Sequence, residues 1–175
     1  MYFIENPMVP VTSPLSGMNK RAQIDILASS FNGPNRGFVI ELLTASGSIL
    51  HLDIRFNENF LVLNHFECGS WHLEEINYNH YHRFAPGKNF NLKIKNLRGH
   101  FSIFAGDHHI CHFQYRGDPH MIAAFHVRGD ITVQKIKFKH FINQKRGGLQ
   151  IGGGATMADK APPAYEEKPA VVLDQ

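Results

Sequence analysis

Residues 51–56 read His-Leu-Asp-Ile-Arg-Phe, and this alternation of polar and apolar side chains predicts a β-strand. Because successive side chains of a strand point to opposite faces, His51, Asp53 and Arg55 share one face and the three apolar residues share the other. The apolar face is expected to pack on a core. The polar face then presents three hydrogen-bonding side chains in a row, which makes it a candidate binding surface.

Strand-like runs of the same kind recur along the chain, separated by turn clusters rich in Gly, Pro, Asn and Asp. Many short strands with frequent turns are typical of an antiparallel β-sandwich or barrel. The fourteen Phe and fifteen Gly also favour a β protein over a helical bundle. The predicted strands are Ala22–Leu27, Gly37–Leu43, Ser48–Phe56, Phe60–Phe66, Phe90–Ile94, Phe101–Phe104, Ile110–Tyr115, Ala123–Val127 and Ile131–Phe138.

The last predicted strand contains a change of phase. Its apolar residues stand at 131 and 133, and then at 136 and 138, so the alternation slips by one residue in between. A slip of this kind predicts a β-bulge, in which one strand carries an extra residue.

The 175 residues suffice for one domain and a tail. Three prolines and a glycine in the first 18 residues predict extended chain with turns. The strand pattern stops after Phe141, and glycine-rich and proline-containing sequence follows. We therefore predict a domain at residues 1–143 and a disordered tail at residues 144–175.

Composition excludes several classes of protein. A net charge of +3 is too small to predict nucleic-acid binding, and no apolar run approaches the roughly 18 residues of a membrane-spanning helix. The N-terminus lacks the basic and apolar regions of a secretory signal, which predicts synthesis in the cytoplasm. The two cysteines, Cys68 and Cys111, are expected to be reduced and unpaired.

Two later segments extend the polar face. The run Phe60–Phe66 can pair with the preceding strand and contributes Asn64, and the segment at residues 69–74 contributes Trp71, the only tryptophan, and Glu74. Strand parity puts Trp71 and Glu74 on opposite faces unless Trp71 stands at the start of its strand, where Gly69 loosens the backbone. Planar hydrogen-bonding groups beside an aromatic ring suit a sugar, which offers hydroxyl groups and an apolar C–H patch.

The order and spacing of these residues resemble the galectin family, the soluble β-galactoside-binding lectins. The family pattern is His-x-Asn-x-Arg, an Asn on the next strand, and Trp-Gly-x-Glu-x-Arg. The similarity extends over roughly residues 7–141 and includes the segments 86–90 and 129–131. It implies an all-β, galectin-like jelly-roll sandwich of two antiparallel sheets that binds β-galactosides non-covalently on its concave sheet face. The matching carbohydrate-binding residues are His51, Asp53, Arg55, Asn64, Trp71 and Glu74.

The resemblance also implies a role for each of these side chains. His51 and Arg55 would contact the axial O4 of galactose, and Asn64 would contact O6. Trp71 would stack on the apolar face of the ring. Glu74 would bond O6 and reach toward the neighbouring sugar. Many galectins form homodimers and leave the cell without a signal peptide, so both remain open for this chain.

Three residues depart from the family pattern. Asp53 replaces the Asn, which adds a negative charge and removes an N–H donor, although Asp53 can still hold Arg55. Ile76 replaces the second Arg, and His72 replaces the Gly after the tryptophan. These departures support an alternative, in which the fold has lost or altered galactose binding and serves as a protein-interaction module.

No motif of an enzyme is present: the sequence has no nucleophile elbow, phosphate loop or zinc-protease helix. We therefore predict a non-enzyme without cofactors. A metal site at residues 107–112 is disfavoured, because His108 and His112 would stand about 13 Å apart along a strand. The motif Pro162-Pro163-Ala164-Tyr165 in the tail matches a ligand of WW domains, which is an additional candidate partner.

Overall fold

The computed structural model describes residues 1–141, which form thirteen strands and two short 3-10 helices, Tyr81–Arg83 and Pro119–Met121. All strand pairs are antiparallel, as the alternating pattern predicts. The strands are β1 (Tyr2–Glu5), β2 (Val11–Pro14), β3 (Gln23–Ser30), β4 (Gly37–Leu43), β5 (Gly47–Arg55), β6 (Phe60–Glu67), β7 (Ser70–Trp71), β8 (Glu75–Asn77), β9 (Asn89–Asn96), β10 (His100–Ala105), β11 (His108–Gln114), β12 (Ala124–Gly129) and β13 (Ile131–Lys139).

The strands divide into two sheets, which confirms the predicted β-sandwich. The six-stranded sheet has the order β1-β13-β3-β9-β10-β11. The seven-stranded sheet has the order β2-β12-β4-β5-β6-β7, and β8 also pairs with β6. Strands β4 to β8 follow one another along the chain and form one half of the second sheet, so the segments that carry the polar residues lie side by side.

The core fills the space between the sheets with aromatic and branched aliphatic side chains. Phe38 of β4 stacks on Phe90 of β9 at 5.5 Å between ring centroids, and Phe125 of β12 meets Phe138 of β13 edge-on at 5.8 Å. Both pairs cross from one sheet to the other. Since burying one such ring contributes roughly 1.5–3 kcal/mol, the abundance of Phe is explained by packing.

All nine predicted strands are present, and β13 pairs with β3 through a register shift between Val133 and Lys135. The predicted bulge is therefore confirmed. The prediction was incomplete at the N-terminus, where Tyr2–Glu5 pairs with β13 and Val11–Pro14 pairs with β12. Both are edge strands, where a proline that cannot donate a backbone hydrogen bond is tolerated.

The predicted tail at residues 144–175, with the motif Pro162–Tyr165, lies outside the described residues. Within residues 1–141, no helix has the length and apolar character needed to cross a bilayer. Both cysteines are unpaired, as expected.

Candidate functional site

Strand β5 places the three polar side chains on one face of the seven-stranded sheet. His51 lies directly opposite Glu41 of β4 and Asn64 of β6, and Asp53 lies opposite Val62 of β6. Residues directly opposite each other in antiparallel strands point to the same side of the sheet. The register therefore places Asn64 beside His51, as the sequence predicts.

Trp71 and Glu74 reach this same face despite being three residues apart. The Trp71 ring lies 4.6 Å from the His51 ring, and Glu74 Oε1 lies 3.3 Å from Arg55 Nη2. Strand β7 pairs Trp71 with Phe66, whereas β8 pairs Glu75 with Leu63, so the register shifts by one residue between them. This shift, rather than loosened backbone at Gly69, brings the two side chains together.

A two-residue turn at Cys68 and Gly69 connects β6 to β7. Both residues have positive φ angles, 51° and 79°, which are the angles that a tight hairpin turn of this length requires. Cys68 is exposed at the tip of this hairpin. The turn sets the pairing of Phe66 with Trp71 and so fixes which face of the hairpin carries the tryptophan.

Three carboxylates surround the guanidinium group of Arg55. Its Nε donates to Asp53 Oδ2 at 2.7 Å, its Nη2 donates to Glu74 at 3.3 Å, and Glu58 lies 3.8 Å away. Burial alone would lower the pKa of Arg55, but the hydrogen bond and charge of Asp53, with Glu74 and Glu58, raise that pKa. The predicted contact between Asp53 and Arg55 is present, and the guanidinium plane is held in one orientation.

His51 is buried, with 3% of its surface exposed, and its Nδ1 lies 2.7 Å from Glu41 Oε1. Burial would raise the pKa of Glu41, but the hydrogen bond and charge of His51, with Arg128 and His126, lower the pKa below its usual value. Sequence reasoning missed Glu41, although it is the one charged residue of the apolar strand Gly37–Leu43.

Asn64 is 1% exposed, and its side-chain amide is engaged by the protein. Its Nδ2 donates to the His72 carbonyl at 3.0 Å, and its Oδ1 accepts from the His65 backbone N–H at 2.8 Å. Arg116 also reaches Asn64 Oδ1 at 3.4 Å and donates to the Leu73 carbonyl at 2.6 Å. Asn64 thus links β6 to the segment that follows Trp71.

The exposed part of the site consists of one aromatic ring and several fixed ionic groups. Trp71, Asp53, Arg55 and Glu74 are partly exposed, whereas His51 and Asn64 are buried beneath them. All six predicted residues therefore lie together on one sheet face. The structure adds Glu41, Glu58 and Arg116, which hold predicted residues in place.

The histidine-rich segment at residues 107–112, where the sequence disfavours a metal site, lies on the six-stranded sheet. His112 Nδ1 is 2.8 Å from Ser102 Oγ and 3.3 Å from His109 Nε2. These short contacts join the histidines to each other and to the sheet.

Comparison with known proteins gives a consistent result. Residues 11–138 match the sequence profile of the family described as galactoside-binding lectin. The chain is 27% identical over 144 residues to the probable galaptin lec-7 of Caenorhabditis elegans, which covers 81% of this chain and 78% of that protein. It is 29% identical over 140 residues to bovine galectin-4, of which it spans 40%.

Among solved structures, the C. elegans galectin LEC-6 superposes with a TM-score of 0.74 at 26% identity. The superposition covers 79% of this chain and 96% of the LEC-6 chain. Sheep galectin-11 in complex with glycerol superposes with a TM-score of 0.67 at 20% identity and covers 74% of this chain and 96% of its own.

Proposed function

The chain belongs to the galectin family of galactoside-binding lectins, and we propose that it binds β-galactoside-containing glycans non-covalently on the polar face of its seven-stranded sheet. The observation that carries this proposal is the convergence of Trp71, His51, Arg55 and Glu74 on one face. An aromatic platform beside oriented hydrogen-bonding groups fits a pyranose ring, which has an apolar face and a polar edge.

In this proposal Trp71 stacks on the apolar face of galactose, while His51 and Arg55 hydrogen-bond the axial O4. Glu74 bonds O6 and the neighbouring sugar, and Asp53 orients Arg55 rather than the ligand. Asn64 contributes by holding the hairpin, because its amide already bonds the backbone. A few hydrogen bonds of about 0.5–1.5 kcal/mol each plus one stacked ring, less the entropy of association, correspond to micromolar to millimolar affinity.

The charge of the site predicts a preference for neutral galactosides. Three carboxylates, those of Asp53, Glu58 and Glu74, surround Arg55. A fourth, that of Glu41, bonds His51 and lies 3.8 Å from Arg128. A sulfate or sialic acid carboxylate placed here would meet charges of its own sign. We therefore expect neutral galactose-ended glycans to bind better than their acidic derivatives.

A second candidate function is a galectin-fold module that binds protein instead of galactose. Leu73, Ile76 and Tyr78 are 82%, 43% and 64% exposed, and they follow Trp71 along the edge of the same sheet. In the family pattern an arginine would stand at Ile76. An exposed apolar strip beside the site fits a protein partner, or the apolar group that carries a glycan.

A glycan array probed with the full-length protein tests the proposal, with lactose as competitor. Binding to galactose-ended glycans that lactose removes supports the lectin, and the Trp71→Ala variant should lose this binding while it keeps a folded spectrum. Absence of binding by folded protein would favour the interaction module. In that case the double variant with Asp53→Asn and Ile76→Arg, which restores the family pattern, should bind lactose.

The motif Pro162–Tyr165 is a separate proposal for partner recruitment. Deleting residues 147–175 would remove capture by a WW domain, and the lectin activity is expected to survive this deletion. The Tyr165→Ala substitution in the full chain is the matched test, because it alters only the motif.

A homodimer is a further open possibility, and it would raise the avidity for multivalent glycans. Sedimentation at several protein concentrations would detect such a dimer.

A further inference from the structure

A second cluster of side chains lies on the reverse face of the hairpin that carries Trp71. His65 and Glu67 alternate with Phe66 along β6, so they point away from the face shared by Phe66 and Trp71. His72 follows Trp71, and its backbone N–H donates to the His65 carbonyl at 3.1 Å. The ligand atoms of His65, Glu67 and His72 all lie within 4.8 Å of one another.

His65 is buried, with 4% of its surface exposed, and one of its ring nitrogens lacks a partner. No atom among residues 1–141 hydrogen-bonds its Nδ1. Its Nε2 lies 3.4 Å from Glu67 Oε2. Two ligands of a tetrahedral zinc ion with bonds near 2.0–2.1 Å stand about 3.3 Å apart, so this pair already has the required spacing.

The His72 side chain must rotate before it can act as a third ligand beside His65 and Glu67. Its ring stacks on His65 at 4.3 Å with an interplanar angle of 27°. Ring lone pairs lie in the ring plane, so two nearly parallel rings do not aim at a common point. His72 is exposed and can rotate about its side-chain bonds, whereas His65 is held in place by burial.

The cluster is open to solvent on the side of His65 and Glu67. Both residues line a depression of about 140 Å³ together with Ser46, Ser48 and Asp118. This depression gives an ion a path of approach and leaves room for water as a further ligand.

We propose that His65, Glu67 and His72 bind a zinc ion on the reverse face of this hairpin, with water in the fourth position. Two imidazoles and one carboxylate are ligands that zinc accepts in a tetrahedral site. The ion would join β6 to the residue next to Trp71 and so hold the β6–β7 hairpin closed. This site is separate from the proposed galactoside site and does not depend on it.

The test is calorimetric titration of the reduced full-length chain with zinc chloride, paired with the fluorescence of Trp71. We expect one saturable site and a saturable change in the emission of the single tryptophan. His72→Ala and Glu67→Gln should each weaken this site at least about tenfold, because each removes a ligand. Both side chains are exposed, so these variants are expected to fold.

His112→Ala is the matched control, because it removes an exposed histidine from a cluster on the other sheet. It should leave the zinc affinity and the tryptophan response as in the unchanged chain. The proposal is overturned if His72→Ala binds zinc with unchanged affinity, if His112→Ala instead abolishes binding, or if no saturable binding occurs up to millimolar zinc.

Discussion

The polar face of the seven-stranded sheet and the outer face of the six-stranded sheet use similar residues in different ways. On the outer face three lysines each have their own carboxylate: Lys93 bonds Asp107, Lys135 bonds Glu5, and Lys139 contacts Asp25 at 2.5 Å. On the site face three carboxylates share the guanidinium group of Arg55, and a buried histidine and a tryptophan complete the group.

The difference shows what makes a polar strand face a binding site. A one-to-one pair at the surface satisfies both charges and contributes about 0–1 kcal/mol to stability. Convergence of several groups on one arginine fixes its orientation and concentrates negative charge around a partly exposed aromatic ring. The alternation of polar and apolar residues is the same in both regions, so alternation by itself identifies exposure and not function.

The largest expected effect comes from removing Trp71, the aromatic ring that lies beside the polar groups of the site face. Trp71→Ala should weaken lactose binding by about 1.5–3 kcal/mol, or roughly 10–150-fold, because the apolar contact with the sugar is lost. Phe3→Ala is the control, since Phe3 is 53% exposed on the outer face. Calorimetric titration with lactose measures the affinity of both variants. An equal loss of affinity in both would contradict the distinction between the site face and the outer face.

Removal of a shared cation should cost more stability than removal of a paired one. Arg55→Ala leaves Asp53, Glu58 and Glu74 without their common partner, so we expect a loss of about 1–3 kcal/mol in the free energy of unfolding. Lys93→Ala breaks one pair with the fully exposed Asp107 and should lower the free energy of unfolding much less than Arg55→Ala does. Urea unfolding of the two variants gives their free energies of unfolding. Similar losses would show that the convergence of three carboxylates on Arg55 adds nothing to stability.

Acid should destabilise the domain, and His126, which is buried on β12 of the site sheet, should contribute more than an exposed histidine. Burial, with the charge of Arg128, lowers the pKa of His126, so the unfolded chain takes up a proton before the folded chain does. Stability therefore falls as the pH drops below about 6.5. The pKa of Glu41 is also lowered, so its contribution is present above about pH 4.5 and is lost on further acidification.

Melting temperatures between pH 7.5 and 5.5 test this expectation, because Glu41 remains ionised over that range. The decrease in melting temperature from pH 7.5 to 5.5 should be smaller for His126→Gln than for the unchanged chain. His112→Gln should reduce the decrease less, because His112 is exposed on β11. A pH dependence that is the same in all three chains would contradict the assignment to His126.

The smallest expected effect concerns the charge at position 53. Asp53→Asn keeps the shape of the side chain but removes one of the carboxylates around Arg55. We expect the ratio of affinities for 3′-sulfated lactose and for lactose to rise several-fold, because a like charge is removed. Glu5→Gln on the outer face should leave this ratio unchanged, and a parallel change there would indicate a general effect of net charge.

Sequence patterns predicted the strands, and the family resemblance named six side chains that the structure brings to one sheet face, but neither contains the register between strands. Alternation identified β5 and the bulge in β13, because both follow from side-chain direction along a single strand. The shared face of Trp71 and Glu74 depends on a register shift between β7 and β8, which single-strand parity does not contain. Arg116 reaches Asn64 from 52 residues away, and no local pattern indicates a contact at that separation.

The hairpin turn at Cys68 gives the molecule a single chemically distinct handle. Cys68 is exposed, whereas burial and the nearby Glu75 carboxylate raise the pKa of the Cys111 thiol to about 12. A thiolate reacts with maleimides and a protonated buried thiol does not, so a dye would attach at Cys68. Because Cys68 is three residues from Trp71, such a conjugate would report optically on occupancy of either face of the hairpin.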